Sequence, residues 1–263
     1  MIDTMFNVIQ VPMKPQVPPG PVVRNEIEQA AFDNGWRVVE GVQDGWFLRR
    51  STSAPGTVAI AGAGKDGPWF LAVDHPGVAE ELDLEHADVT GPGVVRFVLA
   101  DTAQLHFALG RAWDLARSLP EHPLRWFQGE TAELPRETEV ERQVVQRKGQ
   151  DIFRESLMAY WDRRCPLTGI TDPDLLRASH MKPWSDCDTD AERLDPYNGL
   201  LLSALWDAAF DSGLVSFDTN GRVLRSGKLS DGATGMLGSA NALELTNKHH
   251  AYLDWHRRYV FKD

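Results

Sequence analysis

Between residues 165 and 213 the chain reads CPLTGITDPDLLRASHMKPWSDCDTDAERLDPYNGLLLSALWDAAFDSG, a stretch that crowds reactive side chains between closely spaced turn signals. His180 closes a short run with β-forming potential, and Lys182-Pro183-Trp184 follows at once. The imidazole is therefore expected at a strand end beside a loop, an accessible place for a base. After a polar, acidic loop comes the tight-turn dipeptide Asn198-Gly199, then three leucines, then a helical pattern in which Asp207 and Asp211 fall four residues apart. On a helix these two carboxylates share one face, which costs a few tenths of a kcal/mol unless a cation lies between them. A hard metal ion would supply that cation.

Strand with histidine, turn with asparagine, strand, then a helix carrying acids is the layout of the ββα-metal nucleases. The runs LRASHMKPW, RLDPYNGLLL and SALWDAAFDSGL, led in by RKGQDIFRESLMAYWDRRCPLTG, resemble the HNH endonuclease family in its bacterial restriction-type form. The likeness covers the second half of the chain and not the first. It implies that His180 is the general base and that Asn198 pins the ring, through the imidazole itself or through neighbouring backbone. It aligns Asp207 with the family's last histidine, with Asp211 as a further ligand one turn on. Ser179 stands just before the base, where many members keep a metal ligand. An oxygen-rich set of Asp207, Asp211 and Ser179 argues for Mg²⁺ or Mn²⁺ over Zn²⁺ or Ni²⁺. Lys182, Arg177 and Arg193 flank the site and, with Arg163, Arg164, Arg147 and Lys148, are candidate phosphate contacts; Arg193 has the alternative role of organising Asp195 and the loop. Trp184 and Trp206 are expected to pack the ββα core.

The implied activity is metal-dependent hydrolysis of phosphodiester bonds in double-stranded DNA, in a restriction or defence setting, with the N-terminal part selecting the DNA or a modified base; a homodimer is compatible with this. The departures at positions 179 and 207, together with an acidic chain, leave a second class open: a catalytically weakened nucleic-acid-binding or regulatory module that keeps the fold.

The net charge of −11 is unusual for a chain that grips nucleic acid, because phosphate contacts draw on Lys and Arg. Residues 1–130 carry 10 basic and 17 acidic side chains and residues 131–263 carry 17 and 21, so the nuclease-like half is the less acidic. Two cysteines, Cys165 and Cys187, exclude a disulfide scaffold and a four-cysteine zinc site; Cys165 reads as a small packed thiol. No apolar run approaches a membrane span and no signal peptide is evident, so a cytoplasmic setting is expected.

The expected fold class is α+β, with a small antiparallel-sheet domain over residues 1–125 and a ββα-metal nuclease domain with flanking helices over 136–263. Residues 1–20 suggest one short strand and an extended arm. A helix is expected over 23–35 with Ile27, Ala30 and Ala31 inward, followed by strands in WRVVEGV and DGWFLRR, TVAIAGA, and PWFLAVD. A short helix over 77–85, a strand over 94–100 and a helix over 102–118 complete this domain. Trp36, Trp46, Trp69 and Phe70 invite a pocket that stacks on a flipped base, although aromatics in alternating strands are more often core. The three prolines and broken periodicity of 119–135 read as a linker. A long helix over 137–164 offers Val140, Val144, Phe153, Leu157 and Tyr160 to a core. Thr219-Asn220-Gly221 signals a hairpin, and a last helix over 243–259 carries His249, His250 and His256 in surface or packing roles.

Overall fold

The computed structural model describes residues 14–18, 20–64 and 67–263; the short strand expected at the start of the chain lies outside them. The chain divides into two compact units, Met1–Ala116 and Arg117–Asp263.

In the first unit, α1 (Pro21–Asp33) buries Ile27, Ala30 and Ala31. The strands β1 (Val38–Gln43), β2 (Trp46–Arg50), β3 (Thr57–Gly62), β4 (Trp69–Val73) and β5 (Val95–Leu99) form one antiparallel sheet in sequence order, interrupted by α2 (Pro76–Glu81) and followed by α3 (Thr102–Ser118). Strands β3 and β4 read as near-continuous apolar runs because both of their faces are covered. Trp46, Ala59, Ala61, Phe70 and Ala72 cluster on one face, backed by Ala87 and Val89. The other face carries Phe47 and Arg49, which meet α1 through an Arg24 guanidinium 4.9 Å from the Phe47 ring and an Arg49–Glu28 ion pair of 3.2 Å. Trp36, Trp46, Trp69 and Phe70 are all buried, at 3 % exposure or less. They are core residues, and none offers a face to an incoming base; the indole N–H groups of Trp36 and Trp46 donate to the carbonyls of Leu109 and Thr90.

The second unit corrects the reading of 119–135 as a linker. Residues Glu121–Thr131 form α4, which packs on α5 (Glu139–Tyr160) with Phe127 in the common core. Local periodicity hid this helix because Pro123 falls in its first turn, where a missing N–H costs nothing. A full capping box at Thr138 and Glu141 starts α5. Val145, Phe153, Leu157 and Tyr160 face inward, whereas Val140 and Val144, expected inside, are 70 % and 45 % exposed. Beyond α5 come β6 (Leu176–His180), the short α6 (Asp190–Arg193), β7 (Gly199–Ser203) and α7 (Ala204–Asp211). Strands β6 and β7 pair antiparallel with Ser179 opposite Leu200 and His180 opposite Gly199. The hairpin β8 (Val215–Phe217) and β9 (Val223–Arg225) turns at Gly221, then α8 (Asp231–Leu237) and α9 (Asn247–Tyr259) close the unit.

Gly149 shows how closely this core is drawn. A Cβ there would overlap the Trp184 indole and lie 3.2 Å from the Phe127 ring. Gly149→Ala gains roughly 1 kcal/mol of helix propensity but overpacks the contact at about 1–3 kcal/mol, so a lower thermal midpoint is expected. A raised midpoint would show that the indole gives way freely.

Candidate active site

The site is built where α5 crosses the short β6–β7 ladder. Gly199 permits the crossing, since a Cβ at that position would come within 2.6 Å of Leu157 and Phe153. Phe153 consequently reaches His180, with which it stacks at 3.7 Å and 13° between the planes. Trp184 meets the same imidazole edge-on at 5.8 Å. The His180 Nε2 lies 2.9 Å from the Arg193 carbonyl oxygen. A carbonyl only accepts, so Nε2 carries the proton and Nδ1 keeps its lone pair. Burial between two aromatic rings drives the pKa down to about 4, and the ring is neutral at pH 7.

Asn198 is fully buried, and its side chain makes its hydrogen bonds to groups other than the imidazole. Of its two expected roles it takes the backbone one. Its Oδ1 accepts from Lys182 N–H at 2.8 Å, and its amide nitrogen donates to the carbonyls of Lys182 at 3.1 Å and Glu192 at 3.2 Å, with Cys187 Sγ at 3.4 Å. One side chain thereby ties both ends of the loop between β6 and α6. The Arg193 guanidinium reinforces the same loop by donating to the Trp184 and Cys187 carbonyls and to Asp190. The residue whose carbonyl anchors His180 is thus itself anchored. Asp195, expected as the partner of Arg193, instead accepts from Tyr197 N–H at 2.9 Å and from the Tyr252 hydroxyl at 3.0 Å.

On α7, Asp207 and Asp211 lie one turn apart. The buried Ser179 hydroxyl donates to Asp207 Oδ1. Asp211 joins His180 and His256 in lining a cleft of about 340 Å³, whose remaining wall includes Trp184, Pro183 and Val260. Partial burial, and then the neighbouring Asp207 carboxylate, push the Asp211 carboxyl up to about 6. Among the described residues no Lys or Arg pairs with either acid, and no three of His, Cys, Asp and Glu converge as a ligand group. Two adjacent carboxylates without a cation partner suit a hard divalent ion whose other positions are filled by water or phosphate.

The candidate phosphate contacts are not gathered at the cleft. Lys182 Nζ pairs with Glu192 at 2.7 Å and approaches Asp188 at 3.6 Å. Arg177 donates to the Asp174 and Leu176 carbonyls, and Arg164 to the Gly169 carbonyl. Arg163 stands in the turn after α5 with a φ of 52°. On α5, Lys148 pairs with Glu130 at 2.7 Å, and Arg147 is exposed.

Residues 165–218 match the family model described as HNH endonuclease. The C-terminal half carries an HNH endonuclease domain. No curated protein matches the chain. The matched span holds β6, β7, α7 and β8, and with them His180, Asn198, Asp207 and Asp211. The HNH domain also draws on residues outside that span which sequence reasoning did not place at the site. Phe153 and Leu157 were read only as core. His256 was read as surface or packing; its ring stacks on Phe210 at 3.8 Å, donates through Nε2 to the Phe210 carbonyl, and accepts at Nδ1 from Ser216. It is packing, yet it also walls the cleft. Val260 gave no signal beyond its position after the last helix. Cys165 is buried in the HNH core.

Proposed function

We propose that the protein is a metal-dependent DNA endonuclease in which His180 is the general base. The observation that carries this reading is the tautomer-fixed, neutral His180 lining one cleft with Asp211, at the end of a helix that presents two acids without a cation partner. Arg193 holds Nε2–H through its carbonyl, so the lone pair for abstracting a water proton is on Nδ1. A ring with a pKa near 4 is a weak base, but an anionic phosphate entering the cleft raises that value toward the working range. Asn198 and the Arg193 guanidinium keep the loop, and with it the anchoring carbonyl, in place. Phe153 covers one face of the ring, and Trp184 packs against it at a right angle.

Asp207 and Asp211 would hold Mg²⁺ or Mn²⁺, which when bound neutralises charge on the phosphoryl and leaving oxygens. Ser179 acts on Asp207, orienting the carboxylate by its hydrogen bond, in place of the independent ligand the resemblance implied. The N-terminal unit would select the target in a restriction or defence role. Its large aromatics are core, so any selection is made on its surface. The second reading, a weakened binding or regulatory module, draws on the two-carboxylate ligand set and on the engagement of nearby cations by protein acceptors.

Plasmid nicking with Mg²⁺, Mn²⁺ and EDTA separates the two. Cleavage that is lost on chelation and restored by either ion supports the nuclease. No cleavage with either ion supports the module. Asp207→Asn keeps the shape and removes a charge, so Mn²⁺ affinity measured by calorimetry is expected to fall at least tenfold, together with the cleavage rate. Unchanged Mn²⁺ affinity would remove Asp207 from the ligand set.

A further inference from the structure

The cleft beside His180 is bounded by two kinds of surface. Its lining mixes the polar His180, Asp211 and His256 with the apolar Trp184, Pro183 and Val260. A duplex held by its backbone calls for Lys and Arg to replace counterions at several phosphates. Here Lys182 is committed to Glu192 and Asp188, Arg193 to two carbonyls and Asp190, and Arg177 to two carbonyls. The chain as a whole is acidic. What the cleft presents beside its base is instead apolar lining from Ala178, Met181, Pro183 and Val260 with a partly exposed Trp184 indole, suited to a flat, uncharged ring. Its volume of about 340 Å³ equals roughly eleven waters at liquid density, enough for a base and not for a length of double helix. In an intact duplex the faces of each base are covered by its neighbours, so only a base that has left the stack can reach such a wall.

We propose that this cleft takes a nucleobase turned out of the stack beside the scissile phosphate, so that the preferred substrate is DNA with an unpaired nucleotide at the cut, as in a single strand, a bulge or a gap, over perfect duplex. The proposal rests on the nuclease reading for its cleavage step and on the cleft's own surface for its binding step, and the two are tested apart.

The full-length protein with Mn²⁺ is given one labelled oligonucleotide as a single strand, as a perfect duplex and as a duplex with a single-nucleotide bulge, and both cleavage rate and binding anisotropy are recorded. Cleavage of the single strand and of the bulged site at least tenfold faster than the duplex is the expected result, and the unpaired forms should also bind more tightly. Trp184→Ala should raise KM for the unpaired forms about tenfold and narrow the difference in KM between them and the duplex. Because Trp184 also packs on Gly149, Val260→Glu gives a second test of the same wall, with the same direction expected. Equal or faster cleavage of perfect duplex overturns the proposal and leaves the nuclease reading standing. If nothing is cut, the nuclease reading falls and binding decides: tighter binding of the unpaired forms, weakened by Val260→Glu, supports the cleft assignment, and equal binding of all three overturns it.

Discussion

His180→Ala is expected to lower the cleavage rate by ~10² to 10⁴, the usual worth of a positioned base. The substitution also touches packing, since the imidazole stacks on Phe153 at 3.7 Å and its Nε2–H satisfies the Arg193 carbonyl. Removing it leaves a gap and an acceptor without its donor, at a cost of roughly 1–3 kcal/mol. His180→Gln is therefore the companion variant, because an amide can still donate to that carbonyl but cannot serve as a base near neutral pH. Both variants should be inactive, with the glutamine form melting closer to wild type. Wild-type rates in a folded His180→Gln protein would remove His180 from the chemistry.

Acidification is expected to unfold the second unit well before carboxylate protonation alone would do so. His180, His249 and His256 are each held down to about 4 by burial, against an ordinary value of 6.5. Their native forms are neutral, and the unfolded chain binds their protons first. The stability tied to them is complete above pH 6.5 and is lost as pH falls from 6.5 toward 4, with a slope of about 1.4 kcal/mol per pH unit for each ring. Asp211 works in the opposite sense: raised to about 6 from 3.8, it favours the native state increasingly as pH falls through 6, though only in part because the residue is exposed. Burial also pushes up the Asp195 carboxyl, in the same sense as Asp211, and three rings against two acids leave a net loss. Urea midpoints of the full chain should decline steeply between pH 6.5 and 4.5, and His256→Gln should flatten the decline. A midpoint constant over that range would mean that the rings are not buried neutral in solution.

The elements were legible wherever periodicity and turn chemistry agreed. The five strands of the first sheet, α1 with its three inward residues, and the Asn220-Gly221 hairpin all follow from local pattern. The order of His180, Asn198, Asp207 and Asp211 was readable too, because each sits at a strand end, a tight turn or one helical face. Tertiary matters were not. Nothing local announces that the Asn198 amide is consumed by three backbone groups of a distant loop, or that Arg193 matters through its carbonyl as much as its guanidinium. Charged residues near a motif suggest phosphate, but Lys182 and Arg177 were claimed by acceptors that only folding brings close. Val140 and Val144 fit a helical stripe and yet face solvent, since the neighbouring α4 covers a different part of α5.

The glycine opposite His180 has a further consequence, for how this machinery can be moved between proteins. The recognisable signature ends at residue 218, but the ring that backs His180 comes from residue 153 and part of the cleft lining from residues 256 and 260. Because Gly199 lets α5 lie directly on the ladder, that helix shapes the site as well as supporting it. A graft cut at the edges of the signature would carry the reacting groups away from half of their surroundings. The smallest transplantable cassette therefore runs from α4, whose Phe127 lies in the common core, to the residues just past α9, and recombination that joins or separates such nucleases should find its permissive breakpoints outside those limits.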